Sequence, residues 1–210
     1  MKYIDLHNYL KKIVNYENKE IVIDEKIIVQ NYNFESAYRF LLPGGTGNQD
    51  SYEYCTAADP DYEPDIIQSM INKCDAEIME NIKFRYHLFR PKGDNKVNHV
   101  ILLFHGFNEK YWAKYLTWAK TLVEETGKAV LLFPIAFHMN RAPLSWSDSR
   151  QMFAISQQRK ERRPDVLCST LSNVAISTRL HNKPQRFIWS GLQTYYDIID
   201  LVEQIKAGLH

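Results

Sequence analysis

Hydrophobic positions along the chain fall into three kinds of pattern. The clearest lies between Val97 and Pro134, where two apolar runs flank a helical repeat. Val100–Phe104 is nearly continuous in apolar residues, and so is Ala129–Phe133. Runs of this kind predict strands buried on both faces, as in a parallel sheet. Between them Trp112, Tyr115, Leu116, Ala119, Leu122 and Val123 recur at steps of three and four, which predicts a helix over 109–126 with one apolar stripe. Asn108 stands at its N-cap and Gly127 at its left-handed C-terminal position. Strand, helix and strand in this order predict a crossover that makes the two strands parallel neighbours.

The flanking segments are read the same way. Leu6, Leu10 and Ile13 share one face of a short helix within 2–15. Ile21–Ile23 and Ile27–Val29 predict two short strands or a hairpin around Asp24, and 31–51 is expected to be irregular, its Gly-rich centre at 43–47 a loop. Ile67, Met70, Ile71 and Cys74 predict a helix over 65–79. Ile82, Phe84, Tyr86 and Leu88 alternate with polar residues, the pattern of a half-buried strand, and Pro91–Asp94 turns it back as a hairpin. At the far end Ile188, Leu192, Tyr195, Ile199, Val202 and Ile205 step by four and three, which predicts a helix with a core stripe.

Composition limits the classes of function. The 210 residues carry a formal net charge of +1, which gives no reason to expect a nucleic-acid partner. Hydrophobic residues make up 45% and aromatic residues 13%, so core material is ample. Cys55, Cys74 and Cys168 are far apart, the pattern of reduced thiols. No apolar run reaches the length of a membrane span and the first residues lack a signal-peptide core, so a cytoplasmic location is expected. The histidines show no metal-ligand spacing, and no metal or cofactor is expected.

Two charged stretches stand out against the neutral whole. Asp50, Glu53, Asp59, Asp61, Glu63 and Asp65 form an acidic segment that lacks the alternation of a calcium loop. Arg141, Arg150, Arg159, Lys160, Arg162 and Arg163 fall in a long excursion at 135–183. The opposite signs predict that the two segments approach each other. Loops that leave the carboxyl ends of parallel strands line ligand crevices, which makes His138, Asn140, Arg141 and Trp146 candidate substrate-binding residues. The alternative is a surface excursion whose arginines serve ion pairs.

The His105-Gly106 pair directly after a buried strand resembles the α/β-hydrolase superfamily, in which a loop at this place supplies one backbone N–H of the oxyanion hole. The resemblance covers roughly residues 80–210 and its specific motif is His105-Gly106-Phe107-Asn108. It implies an α/β fold with a mostly parallel sheet, an antiparallel hairpin at its start, helices on both faces and an incomplete set of strands. It further implies an arm or cap over 1–79 and a core over 80–210. Gly106, Phe107 and Asn108 would form the oxyanion loop, with Phe107 N–H the donor and His105 bracing it. The nucleophile elbow G-x-S-x-G is absent, and so is a late Asp and His pair.

The function this implies is the N-terminal part of a serine hydrolase acting on a small acyl substrate. A non-catalytic α/β-hydrolase-like binding domain is the alternative. Missing later strands would leave an open sheet edge, through which the chain is expected to self-associate. Should this chain hold a nucleophile of its own, Ser145, Ser147 and Ser149 are the first candidates.

Overall fold

The computed structural model describes residues 2–45, 74–93, 97–107, 109–162, 164–165, 170–180 and 185–208. In chain order the elements are α1 (Tyr3–Ile13), β1 (Glu20–Val22), β2 (Ile27–Glu35), α2 (Met79–Ile82), β3 (Lys83–Pro91), β4 (Val100–Leu103), α3 (Tyr115–Thr126), β5 (Ala129–Leu132), α4 (Ser149–Arg162), α5 (Leu171–Leu180) and α6 (Gln185–Lys206). The chain divides into two compact units. The first comprises Met1–Glu35 and Lys83–Asn140, and the second Ser36–Ile82 and Arg141–His210.

The first unit holds all five described strands in the order β1-β2-β3-β5-β4. β4 and β5 are parallel, Val100 facing Ala129 and Leu103 facing Leu132. The pairs β1–β2, β2–β3 and β3–β5 are antiparallel. The protein is therefore mixed α/β with an open, mostly antiparallel sheet, and the expected parallel majority is corrected to a single parallel pair. The difference comes from β3, which does not turn back onto β4 as the expected hairpin but pairs antiparallel with β5 on one side and with β2 on the other. The first residues of 31–51 also continue β2 to Glu35 instead of turning irregular. Phe34 is buried there between polar neighbours, and Asn31 and Asn33 masked the alternation.

One face of the sheet carries Ile27, Val29, Phe89, Val130 and Leu132, which pack with Leu10 of α1 and with Trp112, Leu116, Ala119 and Val123 of the following helical segment. The other face carries an aromatic group of Phe34, Phe84, Tyr86 and Phe133 with ring centroids 5.2–6.4 Å apart. Both faces of β5 are buried, as its apolar run predicts. β3 is buried on both faces at its centre, where Tyr86, His87 and Phe89 are all covered, so it is more than a half-buried strand. β4 is the opposite case. It lies at the sheet edge, and Val100, Leu102 and Phe104 are 37–40% exposed. An apolar run is the same in an interior strand and in an edge strand whose second face is open.

The helix between β4 and β5 begins with a 3₁₀ turn at Trp112–Lys114 and turns α-helical only at Tyr115, six residues later than the stripe predicts. Its C-terminus is as expected: Gly127 has φ 66° and its N–H bonds the Val123 carbonyl.

In the second unit the described part of the excursion beyond Arg141 is largely helical, in α4 and α5. Met152 and Ile155 of α4 pack with Val174 and Ala175 of α5. Residues 50–65 lie outside the described residues, and with them the expected approach to the basic segment. The 65–79 helix is described only from Cys74, where the chain is extended and then makes a 3₁₀ turn at Asp75–Glu77.

The largest correction concerns α6. Its predicted core stripe faces outward, with Ile188 63% and Tyr195 62% exposed, whereas Arg186, Ser190, Gln193, Thr194, Asp197 and Leu201 are buried. A polar face is buried only where its groups find partners. Here they do. Arg141 pairs with Asp197 at 2.7 Å, Ser36 Oγ donates to the other oxygen of Asp197 at 2.5 Å, and Asn81 Nδ2 donates to Gln193 at 2.7 Å.

Candidate functional site

The site builds from the ends of the parallel pair in the first unit. Beyond β4 the chain passes through Phe104 to His105, which is buried. The imidazole Nε2 accepts the N–H of Ile135 at 3.0 Å, and Nδ1 lies 2.9 Å from the Gly106 carbonyl oxygen. A neutral ring with its proton on Nδ1 satisfies both at once. His105 thus ties the loop after β4 to the loop after β5, the bracing role expected of it.

Gly106 is held from two sides. Its N–H donates to Tyr115 Oη at 2.6 Å, and its carbonyl also accepts from Glu109 N–H at 3.2 Å. The turn does not itself require glycine. Gly106 has no positive φ, and an added Cβ would meet Tyr115 Oη at an ordinary 3.5 Å. Gly106 is exposed, and its hydrogen leaves that loop surface uncovered. Phe107 follows, 41% exposed, with its ring 5.5 Å from that of His138. Asn108 lies outside the described residues.

The loop after β5 supplies the second wall. Ala136, Phe137, His138 and Met139 are all buried, and Phe137 and Met139 have φ of 62° and 52°. Left-handed backbone at a non-glycine residue costs on the order of 1–3 kcal/mol and clusters at functional loops. The surrounding packing holds it: His138 Nδ1 meets the Ala136 carbonyl at 2.8 Å, and the His138 ring lies 5.5 Å from His105. Trp112 stands edge-on to His105 at 5.4 Å. Phe107, His138, His105 and Trp112 therefore form a continuous row of rings at the carboxyl ends of β4 and β5.

Below this row His87 of β3 is buried against Tyr16 and Trp112, with Nδ1 2.7 Å from Asn31 Oδ1. Burial pushes its pKa down to about 3, with a smaller contribution from Arg85. It is a neutral core histidine.

The remaining candidates are placed elsewhere. Asn140 is exposed and donates its amide to the Arg85 carbonyl at 2.9 Å. Arg141 is fully buried in the second unit, bonded to Asp197 and to both oxygens of Asn81. Desolvation lowers its pKa to about 10 and raises that of Asp197, against the mutual attraction of the pair. Trp146 is buried in the same unit, with the Arg186 guanidinium 4.6 Å from its ring centre and Arg186 paired to Asp75 at 2.6 Å. Of the predicted residues, Gly106, Phe107 and His138 come together in one place, and Arg141 and Trp146 belong to the interior of the second unit.

Sequence reasoning placed Trp112 and Tyr115 in the core and missed that they also hold the His105-Gly106 loop. Neither Phe137 nor Met139 carried a signal, since neither is a residue type that favours left-handed backbone. Among the described residues no group of three or more His, Cys, Asp or Glu could hold a metal ion, and no helix is long and apolar enough to cross a membrane.

Fold and site define a mixed α/β protein with one strand–helix–strand crossover, whose strand ends carry a braced, aromatic-lined loop pair. The chain belongs to DUF6051, a family of unknown function, which it matches over residues 1–210. No curated protein and no solved structure matches it.

Proposed function

We propose that the loop 105–107 is the oxyanion loop of an acyl-transfer site, and that this chain is the N-terminal framework of a serine hydrolase acting on an acyl substrate. The observation that carries the reading is the double engagement of His105. It fixes the loop after β4 against the loop after β5 at the carboxyl ends of a parallel pair, where ligand crevices form. Acyl transfer needs a rigid backbone donor aimed at the oxygen that gains charge, and losing one such donor costs roughly 3 kcal/mol of transition-state stabilisation. Phe107 N–H is that donor by motif, and glycine before it leaves the approach uncovered. His138 and the Phe107 ring form the wall against which an acyl chain lies. The serine comes from an elbow outside these 210 residues.

A second reading, a non-catalytic binding domain built on the same framework, draws on the Tyr115 hydroxyl that already engages Gly106 N–H. The two separate in a titration of the ¹⁵N-labelled protein with butylphosphonate, a stable mimic of the tetrahedral anion. The oxyanion reading expects the Phe107 amide to shift with saturation, and Phe107→Pro, which removes the N–H, to abolish binding. A response confined to side chains of the wall, with the Phe107 amide silent, favours the binding domain.

A further inference from the structure

α6 turns a polar face inward and an apolar one outward, and the outward face has internal symmetry. Ile188, Leu192, Tyr195, Ile199 and Val202 alternate steps of four and three, the spacing of a helix-pairing seam. Ile188 and Tyr195 are 62–63% exposed, and Ile199 and Val202 are 37–40% exposed. This face lies opposite Ser190, Gln193 and Asp197, so it is not the flank of a buried surface.

We propose that this stripe is the two-fold interface of a homodimer in which α6 pairs antiparallel with α6 of a second copy. Tyr195 lies at the centre of the stripe, with Ile188 and Val202 each seven residues away. Leu192 and Ile199 stand three and four residues to either side. Reversal of the helix thus places aliphatic residues opposite aliphatic residues, Ile188 on Val202 and Leu192 beside Ile199, with Tyr195 meeting its own copy. A self-complementary pattern of this kind is what an isologous interface requires and what a foreign partner has no reason to impose.

Gly191 supports the same geometry. It is exposed on this face in the middle of a 22-residue helix, and a Cβ there would meet open space. An interior helical glycine costs about 1 kcal/mol relative to alanine. The antiparallel register brings Ile199 of the second copy over Gly191, where the missing side chain provides a hole for it.

Charge selects the direction. Asp200 and Glu203 lie toward the C-terminal end of the helix. A parallel pair sets each beside its own copy, whereas an antiparallel pair sets them against the uncharged turn that holds Phe187 and Ile188. Area is also sufficient. With aromatic side chains contributing ~150–250 Å² when fully exposed, the stripe offers roughly 500 Å² per chain, and the pair buries roughly 1,000 Å², the lower bound for a specific interface. The inference is independent of the acyl-transfer reading.

Sedimentation velocity of the protein at about 50 μM tests it. The expected result is a dimer that both Ile188→Lys and Val202→Glu convert to monomer. Mixing the two variants restores the dimer, because the antiparallel register places the introduced lysine of one chain against the introduced glutamate of the other. That rescue also shows that neither variant has lost its fold. A monomeric wild-type protein overturns the proposal. A dimer that survives both substitutions overturns it too and moves the contact to another surface, the open β4 edge first among them. Monomeric variants that do not recombine overturn the antiparallel register.

Discussion

Arg141 and Asp197 face each other at 2.7 Å with both side chains fully buried. Around them Ser36, Asn81 and Gln193 complete a closed set of hydrogen bonds. Burial pushes both members of the ion pair toward their neutral forms, so the pair does not stabilise the fold merely by being charged. Its partners cannot be removed singly. Asp197→Ala leaves an unpaired guanidinium in the interior and is expected to cost about 3–5 kcal/mol. The double variant Arg141→Met/Asp197→Leu is expected to lose less than Asp197→Ala alone. Urea denaturation of the two variants checks the order, and a double variant less stable than the single one contradicts it.

His87 makes the first unit sensitive to acid. Its folded pKa of about 3 lies below the ~6.5 of a free imidazole, so the folded state favours the neutral ring. For a depressed pKa the stabilisation is complete above the unfolded value and is lost as pH falls toward the folded one. Between pH 6.5 and 3, each step of one pH unit is expected to remove up to about 1.4 kcal/mol. His87→Gln should flatten that slope, as read from denaturation midpoints across the range. An unchanged slope would assign the acid sensitivity to other groups.

Leu116 is 1% exposed in the core between α3 and the sheet. Leu116→Ala is expected to cost about 2–5 kcal/mol by loss of transfer energy and by the cavity left behind. Trp118, half exposed on the same helix, is the control, and Trp118→Ala should stay within about 1 kcal/mol. Equal losses at the two positions would mean that the helix packs through a different face.

How far the chain could be read from its sequence follows from what each pattern encodes. The parallel β4–β5 pair, the helix between them and its Gly127 end were legible because strand runs and a helical repeat meet there in unbroken order. Edge and interior strands were not separable, since Val100–Phe104 is apolar in either place. α6 was legible as a helix but not in its orientation. The exposed residues Ile188, Tyr195 and Val202 read as core, and the buried side is polar because Arg141, Asn81 and Ser36, distant in sequence, bring partners to it. The loop His105-Gly106-Phe107 was legible as a motif. Its junction with Ile135 and His138 was not, since it depends on left-handed backbone at Phe137 and Met139.

The acyl-transfer reading makes a prediction that depends on what this chain holds and what it does not. An oxyanion donor lowers a barrier only when a nucleophile and its base stand beside it. The 210 residues contain the His105-Gly106-Phe107 loop but no G-x-S-x-G elbow. The 210-residue chain is therefore expected to leave short p-nitrophenyl esters unhydrolysed and to take no label from a serine-directed fluorophosphonate. A longer product that carries an elbow serine should do both, and His105→Ala in that product should lower kcat by releasing the loop from Ile135 and from the Gly106 carbonyl. Phe107→Pro should lower it as well, by roughly the 10²–10³-fold typical of a lost oxyanion donor. Labelling of the 210-residue chain at one serine would place the nucleophile within it. Ser145, Ser147 and Ser149 would then be the residues to replace first, and the likeness to the hydrolases would no longer describe how this protein works.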